Sequence, residues 1–235
     1  MPRATIAGIA GPRTGTPERR SQATTRDRVR DLAEVSTHER EVKAILDLIP
    51  DMFRSGAAGA DITFLEPACG SGNFLTEILR RKLEHIRFST TRSGGVYEHR
   101  ILQAVASVYG VDISAANVSE ARDRMMAEVH AHYSNDANTI DPSIGFESAL
   151  RAILGTNIID ADFLADAATI EVVDYQAVRG GYFTRAWSML ADPWTAETQR
   201  NRFHPRLGSK RDAVPVHYAD LAAMPSPAMP AVRSG

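Results

Sequence analysis

A single cysteine, Cys69, stands in the 235 residues. It cannot close an intramolecular disulfide, and a multi-cysteine zinc site is excluded. The seven histidines are scattered, and no H-E-x-x-H or comparable ligand set occurs. His130 and His132 lie two apart on a predicted helix and do not share a face. No metal site is expected. No apolar run approaches the length of about 18 residues that a membrane-spanning helix needs, so no membrane partner is expected. Neither sign of charge is in excess: 27 Lys and Arg face 29 Asp and Glu, a formal net charge of −2. That balance argues against a dedicated nucleic-acid coat, though not against an enzyme with a local basic groove. There is no internal repeat of about 20–50 residues, so a solenoid is excluded.

What is present is ordinary for a folded domain: 43% hydrophobic and 24% charged residues, enough to build a core. The length suits one compact domain with tails and leaves little room for a separate DNA-recognition region. The opening MPRATIAGIAGPR has too little apolar length for a secretory segment, so a reducing cytoplasm is the expected compartment. Residues 1–25 set Arg3, Arg13, Arg19 and Arg20 against Glu18 with no apolar periodicity, and read as a disordered basic arm. Residues 26–195 carry the regular patterns and form the expected domain. Residues 196–235 lose periodicity and end in a Pro/Ala-rich stretch, the expected disordered tail.

Within the domain, Glu39 to about Pro50 has helical spacing, with Thr37 placed to cap it. Ile62–Leu65 reads as a buried strand, and Phe74, Leu75, Ile78, Leu79 and Leu83 form a helix stripe after it. The segment 89–95 is expected to be a loop and 97–106 a helix. Ala106–Ile113 reads as a second strand, Asn117–His132 as a long helix, 134–145 as a polar loop and 147–154 as a short helix. Asn157–Ile159 is the third strand. Ile170–Val178 and Gly181–Leu190, parted by a glycine turn, suit a hairpin; the end of the latter, Trp187–Leu190, is alternatively a fourth strand. The alternation of strands and helices predicts a parallel sheet flanked by helices, with ligands at the carboxyl ends of the strands.

The richest segment is FLEPACGSGNFL, residues 64–75. Glycines at 70 and 72 let backbone pass close under a ligand, and the next helix opens with unpaired N–H groups. A dinucleotide turn needs a third glycine where Leu75 stands, and Glu66 repels a pyrophosphate. A ligand with a positive centre is favoured by that carboxylate. This points from a nicotinamide dinucleotide towards S-adenosylmethionine. Cys69 lies inside the turn with no basic partner in view and reads as a small packing residue.

This segment closely resembles the cofactor-binding motif of the amino-group DNA methyltransferases, above all the N6-adenine modification subunits of restriction–modification systems. The family pattern, (D/E)-P-x-x-G-x-G-x-F, is matched at every fixed position of residues 66–74. The resemblance runs over roughly residues 27–165. It implies a Rossmann-like S-adenosylmethionine-dependent methyltransferase fold, either truncated or carrying a terminal β-hairpin. YGVDI at 109–113 resembles the second-strand motif, where Asp112 takes the place of the acid that accepts from the ribose hydroxyls. NIIDADFL at 157–164 resembles the third-strand motif; Asp162 fits the acceptor for the adenine amine, with Phe163 over the ring, and Asp160 competes with it. Upstream, Ser36-Thr37-His38 stands where the family carries aromatic-Thr-Pro, so Thr37 either binds the methionine carboxylate or caps the helix. The implied cofactor set is Thr37, Glu66, Pro67, Ala68, Gly70, Gly72, Asn73, Phe74, Asp112, Ile113, Asp162 and Phe163.

One family element is missing. The catalytic (D/N/S)-P-P-(Y/F/W) does not occur in the chain. The nearest string, Asp192-Pro193-Trp194, is one proline short. Either Asp192 accepts from the target amine and Trp194 stacks on a flipped base, or the string is an ordinary turn. The resemblance therefore implies methylation of DNA at adenine N6 in a restriction–modification setting, with DNA as partner and a specificity or restriction subunit as a further one. The alternatives are a catalytically silent cofactor-binding subunit and a methyltransferase with a substrate other than DNA.

Overall fold

Val108 to Val111 is buried without a break, the pattern of a parallel strand covered on both faces. The chain divides into two units, residues 1–36 and 37–235. The computed structural model describes residues 37–53, 62–91, 93–137, 141–190 and 210–227, all in the second unit. The expected basic arm, Asp192 and Trp194 lie outside the described residues.

Two sheets organise this unit. The first is parallel, in the order β1 (Phe64–Glu66), β2 (Val108–Asp112), β3 (Ile158–Asp160). Its connections are helical: α2 (Asn73–Leu83), α3 (Phe88–Thr91) and α4 (Gly94–Ala106) join β1 to β2. The helices α5 (Ala115–Asp136) and α6 (Ile144–Asn157) join β2 to β3. Ahead of β1 stands α1 (Glu39–Leu46), followed by a 3-10 turn, Pro50–Phe53. Phe53 stacks on Phe64 with ring centroids 5.2 Å apart, which seats that turn beside β1. The result is a mixed α/β unit with a three-stranded parallel sheet flanked by helices.

Serines set the starts of three helices. Ser93, Ser114 and Ser143 accept from the amides of Val96, Asn117 and Phe146 at the heads of α4, α5 and α6. This explains two departures from the expected boundaries. The stretch 89–95, expected to be a loop, holds α3 and the first turn of α4, because Ser93 starts the helix ahead of Gly94-Gly95. Likewise α6 begins at Ile144 rather than 147, behind the Ser143 cap. Separately, α5 runs on to Asp136 into the expected polar loop. The cap of α1 also moves: the N-cap is His38, not Thr37. Glu41 reaches back to the His38 amide at 3.0 Å, so the acid of the first turn closes the helix start.

The second sheet is antiparallel, β4 (Glu171–Val178) with β5 (Tyr182–Met189) and β6 (Val216–His217). The hairpin reading holds; Trp187 to Met189 pair with β4 and are not a fourth strand of the parallel sheet. The hydroxyl of Tyr109 on β2 donates to the Val173 carbonyl at 2.7 Å and ties the two sheets together. The stretch expected to be tail holds, at 210–227, β6 and a 3-10 helix, Tyr218–Ala223. Elements of this length are too short for a periodic pattern, and distant side chains hold them. Asp212 takes a bidentate ion pair from buried Arg185 at 2.9 and 3.0 Å. Tyr218 donates at 2.7 Å to Glu98, a buried carboxylate of α4 that also accepts from Tyr133 and from the amide and hydroxyl of Ser143.

Candidate functional site

The parallel sheet brings the carboxyl ends of three neighbouring strands together. β1 ends at Glu66, β2 at Asp112 and β3 at Asp160. Asp112 lies in register with Asp160, and Glu66 with Gly110, one side-chain repeat below Asp112. Strands about 4.8 Å apart thus set a row of acids along one edge of the sheet.

Between Glu66 and α2 runs the glycine turn. The Cys69 amide donates to the Val111 carbonyl at 2.9 Å and the Gly70 amide to Asp112 Oδ2 at 2.8 Å, so β2 anchors the turn. Gly70 has φ +53° and Gly72 φ +87°, left-handed values that disfavour a side chain. Their surroundings differ. A Cβ on Gly72 would stand 2.9 Å from the Ala121 Cβ of α5, whereas a Cβ on Gly70 would meet nothing within 4 Å. Gly72 is a packing glycine, and Gly70 faces open space.

Cys69 is buried beneath the turn against Gly110, where a Cβ would meet its sulfur at 3.0 Å. Burial pushes its thiol up to about 12, with Asp112 and Glu66 adding to the shift. It is a neutral packing group at physiological pH.

The acids are unequally engaged. Glu66 is half-buried and takes one weak bond, from the Ala68 amide at 3.3 Å. Burial raises its carboxyl above the usual range, the Ala68 amide opposing that only in part. Asp112 holds three donors: Gly70 N–H on Oδ2, and Ser114 N–H at 2.9 Å and Asn117 Nδ2 at 3.1 Å on Oδ1. A carboxylate has about four acceptor positions, so one is left. Asp162 caps α7 (Phe163–Asp166), its Oδ1 accepting from Leu164 and Ala165 at 2.9 and 3.1 Å. Its Oδ2 makes no hydrogen bond among the described residues. Asp160 is exposed.

The other implied cofactor residues fall around this edge. Pro67 and Ala68 form the turn after β1, and Asn73 opens α2. Phe74 packs against the main core, and Ile113 is exposed beyond Asp112. Phe163 packs against the small cluster of Val111, Ile170 and Val172. Thr37 reaches the turn through its backbone, its carbonyl accepting from Asn73 Nδ2 at 2.8 Å.

Two residues escaped the sequence reading. Asn117 pins Asp112, and Arg124, from the middle of α5, donates to the Ser71 carbonyl at 2.8 Å and to Asn73 Oδ1 at 2.7 Å. A polar residue inside a helix carries no local signal of such reach; only its 51-residue separation from Asn73, closed by the fold, reveals it.

Comparison with known proteins adds one likeness. Over 100 residues the chain is 30% identical to Adenine-specific methyltransferase PglX of Streptomyces coelicolor. The alignment takes in 42% of this chain and 8% of that protein, so the chain spans less than a tenth of the relative's length. No protein-family model and no solved structure matches the chain. At its coarsest, the chain is similar to part of a methyltransferase.

Proposed function

We propose that this unit is the S-adenosylmethionine-binding part of a Rossmann-like DNA methyltransferase that modifies adenine N6. The observation that carries the reading is the turn: open space over Gly70, bordered by a half-buried Glu66 with one weak partner and an Asp112 with one acceptor position left. These groups fit the cofactor. An acid raised by burial is stabilised as its anion by a neighbouring cation, so Glu66 suits a ligand with ammonium and sulfonium charges. Asp112 accepts one ribose hydroxyl while it holds the turn. Asp162, through its second oxygen, accepts from the adenine amine, and Phe163 borders the ring. When bound, the cofactor supplies an electrophilic methyl group. Asp192 and Trp194 are the proposed acceptor and stacking ring for the target base, and a restriction–modification setting with a specificity or restriction partner goes with this reading. The likeness to a protein named as an adenine-specific methyltransferase supports it.

The test is paired. Titration calorimetry with S-adenosylmethionine is expected to show binding that Asp112→Ala weakens about tenfold or more, from the loss of hydrogen bonds worth about 1–3 kcal/mol. Labelled methyl transfer to unmodified DNA is expected with the chain, alone or with a partner subunit. A second reading is favoured by one observation, the absent (D/N/S)-P-P-(Y/F/W) string: a subunit that binds cofactor and leaves transfer to another chain. Binding without transfer under any partner condition selects it, and absence of binding rejects both.

A further inference from the structure

The turn is held from behind by a relay that joins three distant parts of the chain. Nη1 of Arg124 on α5 donates to the Ser71 carbonyl at 2.8 Å, to Ser71 Oγ at 3.3 Å and to Asn73 Oδ1 at 2.7 Å. An amide presents an acceptor on one side and donors on the other. A guanidinium has only donors, so it fixes which side of Asn73 faces α5. The Asn73 Nδ2 is thereby aimed the other way, where it donates to the Thr37 carbonyl at 2.8 Å, immediately ahead of α1. The links span 51 residues from Arg124 to Asn73 and 36 from Asn73 to Thr37.

We propose that Arg124 is a positioning residue which, by orienting the Asn73 amide, clasps the Thr37 segment against the glycine turn and so shapes the ligand site. The inference rests on the cofactor reading of that turn. Arg124 touches neither the open space over Gly70 nor any of the three acids through a hydrogen bond. It acts through Asn73.

Asn73→Asp separates this role from general stability. The carboxylate keeps its partner in Arg124 and, at the first position of α2, is favoured by the helix dipole. It cannot donate to the Thr37 carbonyl. The expected result is a melting temperature equal to or above wild type, with hydrogen exchange of the α1 amides faster by about three- to tenfold, the worth of one neutral hydrogen bond. Arg124→Met is expected to give the same acceleration in α1 while α6 is unchanged, and Arg124→Lys to restore part of it. Calorimetry with S-adenosylmethionine is expected to show weaker binding for Asn73→Asp by a similar factor. Wild-type α1 exchange in Asn73→Asp overturns the proposal, as does equal acceleration of α1 and α6 in Arg124→Met. Unchanged binding by Asn73→Asp beside a binding wild type overturns it too. If wild type itself does not bind, the cofactor reading falls, and the exchange pattern alone then decides whether the clasp exists.

Discussion

Gly70 and Gly72 are two residues apart with φ in the same left-handed region, yet alanine should act differently at each. At Gly72 the added Cβ stands 2.9 Å from the Cβ and 3.1 Å from the Cα of Ala121, and α5 cannot retreat without leaving its packing on α2. A left-handed backbone with a side chain costs about 1–2 kcal/mol, and forcing atoms into a filled interface about 1–3 kcal/mol. Gly72→Ala is therefore expected to lose about 2–5 kcal/mol, a large part of the roughly 5–15 kcal/mol that such a domain has. In thermal unfolding this is a fall of about 4–20 °C, taking about 2–4 °C per kcal/mol for a domain of this size. At Gly70 the Cβ meets nothing within 4 Å, so only the backbone term applies, about 1–2 kcal/mol. Gly70→Ala should stay folded and lose ligand affinity, because the methyl occupies the open side of the turn. Differential scanning calorimetry of the two variants, with cofactor titration of Gly70→Ala, checks the pair. If Gly72→Ala lies within about 0.5 kcal/mol of wild type, or Gly70→Ala is the less stable, the assignment of one glycine to packing and the other to the ligand is wrong.

Other outcomes follow from the same geometry. Asp112→Asn cannot accept from both Gly70 and Ser114 amides as an anion does; a loss of about 1–3 kcal/mol in urea unfolding is expected together with weakened cofactor binding, and a wild-type midpoint would count against the anchor. Glu66 has a raised carboxyl pKa, so its favourable contribution is full below the unfolded value of about 4.3 and is lost as pH rises through the folded value. Glu66→Gln should thus be at least as stable as wild type at neutral pH and should flatten the acid-side loss of cofactor affinity. A lower neutral melting temperature, or an unchanged binding profile, contradicts this. Glu98→Ala leaves the buried Tyr133 and Tyr218 hydroxyls without their shared acceptor. More than about 2 kcal/mol should be lost, at about 1–3 kcal/mol per unsatisfied group; a loss under about 1 kcal/mol would show that water replaces the carboxylate.

Much of this architecture is written locally. The β1–turn–α2 passage is legible because an apolar run stops at Glu66-Pro67, two glycines follow, and the apolar stripe from Phe74 has helical spacing. The second and third strands stand out for the same reason, as unbroken apolar runs ending in acids. What misled was equally local. Gly94-Gly95 looks like loop until Ser93 is seen to cap a helix, and Thr37 looks like a cap until Glu41 closes α1 at His38. The stretch 210–227 has no period to read, since its order comes from Arg185–Asp212 and Glu98–Tyr218, contacts spanning 27 and 120 residues.

The candidate site divides along the same line. Sequence alone singled out the candidate residues, a glycine turn after an acid and an acid at each later strand end, because residue type and short-range order specify them. Tertiary structure decided how free each group is. Parallel pairing placed Asp112 under the Gly70 amide and left it one acceptor position, and packing of α5 closed the space at Gly72 while leaving it open at Gly70. It also brought Arg124 to Asn73. Those outcomes depend on where helices and strands separated by tens of residues come to rest, and no local pattern encodes that.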